Sequence, residues 1–270
     1  MEEGRLRVER HDAVALIVFE DPERRNAMTE AMGRALASVL VQLGSDDGVR
    51  AVVLTGAGSA FSAGGDLAMI EAKARAGRTT PGEPTRSAHR SFMRGFYELF
   101  LSVRDLPQPS LAAIQGPAIG AGLAVALACD LRIAARDARL GLNFTRLGIH
   151  PGMGSSWTLP RLVGPAHAAD LLLTGRLVDG DEAARIGLVN RAVPSDQVLS
   201  ETLAAAAAIA ACAPFAVRGT KRALARSLAA SFDEQLDFEA EQQALCYESE
   251  DLGEGLAATR ERRPPHFTGR

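Results

Sequence analysis

Short runs of β-branched and apolar residues, bounded by turn formers, recur at 13–19, 51–55, 111–114, 131–134 and 187–193, and this patterning predicts strands. Between them apolar residues repeat at helical spacing over 29–43, 91–103, 121–127 and 165–173. The first of these opens on Thr29, whose hydroxyl suits a helix N-cap. Strands separated by helices imply crossover connections and an α/β fold. Beyond about Ser195 the strand pattern stops. The stretch 197–260 is rich in Ala, Leu, Glu and Arg and reads as three or four helices, broken near Ala213-Pro214, Ser231 and Ser249-Glu250. The chain therefore divides into an α/β core, 1–196, and a helical region, 197–270. Helices without a sheet of their own must bury their apolar stripe on the core or on another subunit, which points to oligomerisation. Over 71–90 charge mixes with Gly77, Thr79, Thr80, Pro81, Gly82 and Pro84 and no apolar period survives, so this stretch is expected to be mobile.

Composition narrows the classes. The chain has 270 residues, 47% hydrophobic and 23% charged, enough to bury one large domain or a domain with an extension. A net charge of −3 and 5% aromatic residues supply neither a basic field nor stacking platforms, which argues against nucleic acid as a partner. Cys129, Cys212 and Cys246 are too widely and irregularly spaced for a zinc site or a disulfide framework, so a reducing compartment fits best. Residues 1–5 carry no apolar signal core, and no run of about twenty apolar residues could span a bilayer. A cytoplasmic protein without a membrane partner is expected.

Two small-residue turns, each following an apolar strand, carry the chemistry. The first runs Gly56-Ala57-Gly58-Ser59-Ala60-Phe61-Ser62-Ala63-Gly64-Gly65-Asp66-Leu67, and the second Gly116-Pro117-Ala118-Ile119-Gly120-Ala121-Gly122. Such strand-to-helix turns let a ligand approach the backbone and aim free N–H groups at it. A dinucleotide fingerprint is disfavoured because its third glycine position is Phe61, whose ring would block close helix–strand approach. A P-loop is excluded because neither turn ends in Gly-Lys-Ser/Thr.

At these residues the chain resembles the enoyl-CoA hydratase/isomerase (crotonase) superfamily. The segment Ala60-Phe61-Ser62-Ala63-Gly64-Gly65-Asp66-Leu67 is similar to its A-F-x-A-G-x-D-[IL] signature, and Gly116 through Cys129-Asp130 to its second glycine signature. Pro22-Glu23-Arg24-Arg25-Asn26-Ala27-Met28, Leu147-Gly148-Ile149-His150-Pro151, Leu173-Thr174-Gly175, Gly187-Leu188-Val189-Asn190 and Arg263-Pro264-Pro265-His266-Phe267 match further family segments in order. The resemblance implies a spiral of strand-strand-helix turns followed by a helical trimerisation region, assembled as a homotrimer or a dimer of trimers. It implies a coenzyme A thioester as substrate and no permanently bound cofactor. The thioester oxygen would sit between the Gly65 and Ala121 amides, fixed dipoles suited to enolate charge. Ala63, Asp66 and Leu67 would receive the adenine, Arg24 or Arg25 would lie near the phosphates, and Arg262 and Phe267 would reach the nucleotide, often of a neighbouring subunit.

The match fails at the acid–base groups. Adding water to a double bond needs one group to activate water and another to deliver a proton, and family hydratases assign these tasks to two glutamates. Their positions fall here on Ala124 and Phe144, and an alternative aspartate position falls on Gly152. True hydratase chemistry is therefore not expected. His150 is the best remaining titratable candidate, with Asn143, Arg146 and Glu71 nearby in the reading. Asp66 is expected to order its own turn, and Trp157 to pack a helix on the core. His11, His89, His167 and His266 fall outside the signature segments. Decarboxylation of a malonyl-type thioester would suit such a site, and the alternative is a catalytically silent acyl-CoA-binding homologue or partner subunit.

Overall fold

The computed structural model describes residues 6–270; the reading of 1–5 as lacking a signal core lies outside them. A six-stranded sheet is built from β1 (Leu6–His11), β2 (Val14–Phe19), β3 (Ala51–Gly56), β4 (Ser110–Ile114), β6 (Leu131–Ala135) and β8 (Arg191–Val193), in the order β1-β2-β3-β4-β6-β8. The β1–β2 hairpin is antiparallel, with Val8 opposite Ile17, and every later pairing is parallel, as in Val53 opposite Leu111. Every residue of β2, β3 and β4 is buried, which is why these strands read as unbroken apolar runs: a parallel sheet is covered on both faces. A second sheet pairs the short strands β5 (Ala118–Ile119) and β7 (Leu140–Gly141) in parallel. It lies beside the second glycine turn and fixes its path.

Helix α1 (Glu30–Gly44) begins where the sequence places it, with the Thr29 side chain accepting from Met32 N, and buries Met32, Gly33, Leu36 and Leu40. Helices α2 (Leu67–Thr79) and α3 (Glu83–Leu101) correct the expectation for 71–90, which is helical apart from a break at 80–82. Its Ala, Lys, Arg and Glu residues favour helix, and α3 continues into the core through Phe92, Phe96 and Phe100, the first two rings stacked at 6.2 Å and the last two tilted at 5.0 Å. No residue of α2 is buried, so it shows no apolar period. Helix α4 (Ala121–Ala128) is enclosed by protein over Ala121–Leu127. Helix α5 (Ser155–Thr174) is longer than 165–173 and bends at Gly164, whose φ of 76° departs from helix. Of 187–193 only β8 is strand; Leu188 N and Val189 N donate back to Ala183 O, at the end of α6 (Gly180–Arg185). β1 also escaped the pattern reading because only Leu6 and Val8 alternate with polar residues.

Four helices follow the last strand: α7 (Val198–Ala210), α8 (Pro214–Ser227), α9 (Phe232–Tyr247) and α10 (Glu250–Glu261). They differ in where they bury themselves. α7 packs across β2, β3, β4 and β6 through Val198, Thr202, Ala206 and Ala210, so it serves as a core helix. α9 buries no residue, and Leu224, Leu228, Phe232, Leu236 and Tyr247 are all exposed. Lys221 on α8 ties this region to the core by an ion pair to Asp130 at 2.8 Å and a hydrogen bond to Gln108 O at 2.9 Å. Among the described residues no single helix is long and apolar enough to cross a membrane.

Candidate active site

The two glycine-rich turns are laced together. Ser62 N donates to Pro117 O at 3.1 Å and Ile119 N to Ser62 O at 3.0 Å, forming a parallel bridge between Ser62 and Ala118, while Gly120 N donates to Gly141 O at 2.7 Å. The Ser62 hydroxyl donates to Asn26 O and accepts from Gly64 N, and so locks the first turn from inside. Gly64 has a φ of 95°; a Cβ there would lie 2.6 Å from Ile119 O and 3.7 Å from Ala121 N. Glycine is required both by conformation and by approach.

These contacts leave two amides over. In the bridge between Met28 and Gly65, Met28 N donates to Gly64 O and Asp66 N to Met28 O, so Gly65 N points away from that pairing. Ala121 N begins α4, where the helix supplies no acceptor. Among the described residues neither amide has a protein acceptor. Both residues line a cavity of about 540 Å³, with Ala63, Leu67, Ile70 and Ile119 beside them. Positive helix-dipole potential at Ala121 adds to what these N–H groups offer an anionic oxygen.

The remaining walls come from α2, α3 and the segment 143–153. Phe144 and Met153 line the cavity, whereas Leu142 is buried and outside its lining. The Phe144 ring stands next to Gly120, within 3.7 Å of where a Cβ would be. Ala124 is buried one helical turn beyond Ala121. Neither side chain can carry a proton. Asn143 and His150 also line the cavity. His150 Nδ1 lies 2.8 Å from Pro151 O, a contact that assigns the proton to Nδ1 and leaves Nε2 as the available ring nitrogen. Arg146 instead donates to Thr174 O, and Glu71 is exposed outside the lining.

Asp66 caps α2 by accepting from Met69 N at 2.8 Å, the turn-ordering role expected of it. A neighbouring depression of about 440 Å³ is lined by Arg24, Asp66, Lys73, His89 and Phe92. Arg24 pairs with Asp21 and lies 3.7 Å from Asp66. Arg25 is exposed in the left-handed region at φ 50°, and its carbonyl accepts from Ala63 N. Arg262 and Phe267 are elsewhere within this chain: Arg262 ends α10, and Phe267 O accepts from Arg50 at 2.6 Å. Trp157 corrects an expectation. It is 41% exposed and lies between the guanidinium groups of Arg104 and Arg161, 5.0 and 4.0 Å from its ring, so it is a surface residue.

Three lining residues escaped the sequence reading. Lys73 and His89 sat in the segment without apolar period, and Lys73 lies 3.2 Å over the Phe92 ring, where burial lowers its pKa. Tyr97 was legible in principle as the one polar tip among the phenylalanines of α3. Cys129 is excluded as a nucleophile, since burial raises its pKa to about 12 and keeps it a thiol. Among the described residues no cluster could hold a metal ion.

Comparison with known proteins identifies the family and the fold. The family model for enoyl-CoA hydratase/isomerase matches residues 9–270. A crotonyl-CoA hydratase of Syntrophomonas wolfei is 31% identical over 261 residues, 96% of each chain. The crystal structure of an enoyl-CoA hydratase from Bacillus anthracis superposes with a TM-score of 0.87 at 35% identity, covering 98% of this chain and 99% of that one. Pseudomonas aeruginosa DspI gives a TM-score of 0.87 at 35% identity over 97% and 96%. The chain belongs to the enoyl-CoA hydratase/isomerase family of the crotonase superfamily, a family of enzymes that process acyl-CoA thioesters.

Proposed function

We propose that the Gly65 and Ala121 amides hold the thioester oxygen of an acyl-CoA and stabilise the enolate charge that develops on it. The observation that carries this reading is the pair of amides without protein acceptors at the wall of one largely apolar cavity. By the precedent of other enzymes, each such donor contributes roughly 3 kcal/mol to transition-state stabilisation. With Ala124 and Phe144 at the positions of the hydratase glutamates, the reaction is one that needs little carboxylate help, such as decarboxylation of a malonyl-type thioester. His150 Nε2 is the group assigned to any proton movement. Ala63, Asp66 and Leu67 receive the adenine, and Arg24 or Arg25 serves the phosphates. Arg262 and Phe267 would serve the nucleotide of a neighbouring copy. Support for a homotrimer or dimer of trimers comes from the uncovered apolar side chains of α8 and α9 within the helical region 197–270, of which α7 packs on the sheet instead. Three free cysteines support a cytoplasmic setting.

The test is a panel of malonyl-, enoyl-, 3-hydroxyacyl- and aryl-CoA esters, read by thermal shift and by mass spectrometry of products. An acyl-CoA enzyme is stabilised by at least one ester and converts one. Stabilisation without conversion would identify a silent binder, and no stabilisation by any ester would overturn the reading.

A further inference from the structure

Gly152 has no conformational need to be glycine, since its φ is not positive. A side chain there would meet Tyr97 and force the ring to shift: a Cβ on Gly152 would fall 2.4 Å from the tyrosine hydroxyl oxygen, 2.8 Å from Cζ and 3.3 Å from Cε1. The missing side chain makes room for the phenol, which reaches from α3 across the loop into the acyl cavity. The cavity wall it joins is largely apolar, with Met93, Phe96, Ile149 and Met153, and also carries Lys73, His89, Asn143 and His150. Among the described residues the Tyr97 hydroxyl has no hydrogen-bond partner. Half-buried as it is, its pKa is raised by burial, so the group stays a neutral O–H donor at neutral pH.

A hydroxyl that faces a cavity without a protein partner is left unpaired when a ligand excludes solvent from it and offers no acceptor in return. A site built around such a group also discriminates against ligands that leave it unpaired. We propose that the Tyr97 hydroxyl is a specificity-determining group that hydrogen-bonds an oxygen on the acyl chain, so that oxo- or hydroxyacyl-CoA thioesters are the substrate class of this cavity. The inference rests on the acyl-CoA reading above and adds the chemistry of the acyl group.

The experiment uses two matched pairs differing in oxygen: acetoacetyl-CoA with butyryl-CoA, and 4-hydroxybenzoyl-CoA with benzoyl-CoA. Dissociation constants are measured by titration calorimetry for the full-length wild type and for Tyr97→Phe, which keeps the ring and its packing on Gly152. The wild type is expected to bind the oxygenated member of at least one pair roughly three- to tenfold more tightly, the range a neutral hydrogen bond supplies. Tyr97→Phe is expected to erase that preference by weakening the oxygenated ester alone. Gly152→Ala, which displaces the ring, should reduce the same preference. If the wild type shows no preference, or Tyr97→Phe retains it, the inference is overturned while acyl-CoA binding stands. Should none of the four esters bind, the acyl-CoA reading fails with it.

Discussion

Gly64 and Ile119 approach so closely that a Cβ on the glycine would meet the isoleucine carbonyl oxygen at 2.6 Å. This contact sets how near the two turns lie, and hence where the Gly65 and Ala121 amides stand. Gly64→Ala therefore strains the backbone at φ 95° and wedges the turns apart. The φ penalty alone is about 1–3 kcal/mol. The variant should unfold at lower urea and lose thermal stabilisation by butyryl-CoA. Full retention of that stabilisation would show that the spacing of the turns is not what binds the ester.

Asn26 holds the first turn from beneath. It is fully buried at φ 55°, its Oδ1 accepts from Asp21 N at 2.9 Å, and its Nδ2 donates to Ala57 O at 2.9 Å and Ala60 O at 2.8 Å. Asn26→Ala leaves Asp21 N and Ala57 O unpaired, while Ala60 O keeps its bond from Gln115, and Asn tolerates the left-handed region better than Ala. A loss of roughly 2–4 kcal/mol is expected from equilibrium urea unfolding. A loss under about 0.5 kcal/mol, the level of an ordinary surface change, would contradict this role.

These two residues also show what the sequence could and could not reveal. Gly64 and Asn26 stand in motifs that locate the turns, and the buried strands β2 to β4 are visible as apolar runs because both faces of the sheet are covered. Thr29 announces its cap because a short polar side chain before an apolar repeat has few other uses, and Asp66 was legible only as ordering its own turn. The helix α2 was hidden because its contacts are too sparse to impose a period. Tyr97 was hidden for a different reason: its importance arises from a loop 55 residues away, and only the Gly152 contact reveals it. Trp157 misled because a large apolar ring was read as core, whereas two arginines flank it at the surface.

Ala124 and Phe144 can be tested by restoring carboxylates. Phe144 lines the cavity next to Gly120, and Ala124 follows Ala121 by one turn of α4. The double variant Ala124→Glu with Phe144→Glu should gain slow hydration of crotonyl-CoA, followed as loss of the enoyl thioester absorbance. Neither single variant should match it, because water activation and proton delivery are separate tasks. A folded double variant with no gain would mean that the cavity holds no position for the attacking water.

The chain's last residues are fastened by a carboxylate whose protonation should release them. Glu254 on α10 accepts from both terminal nitrogens of Arg263, at 2.6 and 2.8 Å, and from His266 N at 2.7 Å. The Arg263 guanidinium, with the His266 amide, lowers the Glu254 pKa from 4.5 to about 2. Because the folded value is depressed, the contribution of this carboxylate is complete above its ordinary value and is lost as pH falls from about 4.5 towards 2. Arg263 stays charged throughout, its own pKa being raised by Glu254 and Glu261. Amide exchange at His266 should therefore accelerate, relative to the intrinsic rate, between about pH 5 and pH 3. Glu254→Gln should show weak protection at both values. Unchanged protection down to pH 2 would mean that the segment is held without Glu254, through the Asp251 contacts to Thr268 N and Gly269 N and the Arg50 bond to Phe267 O.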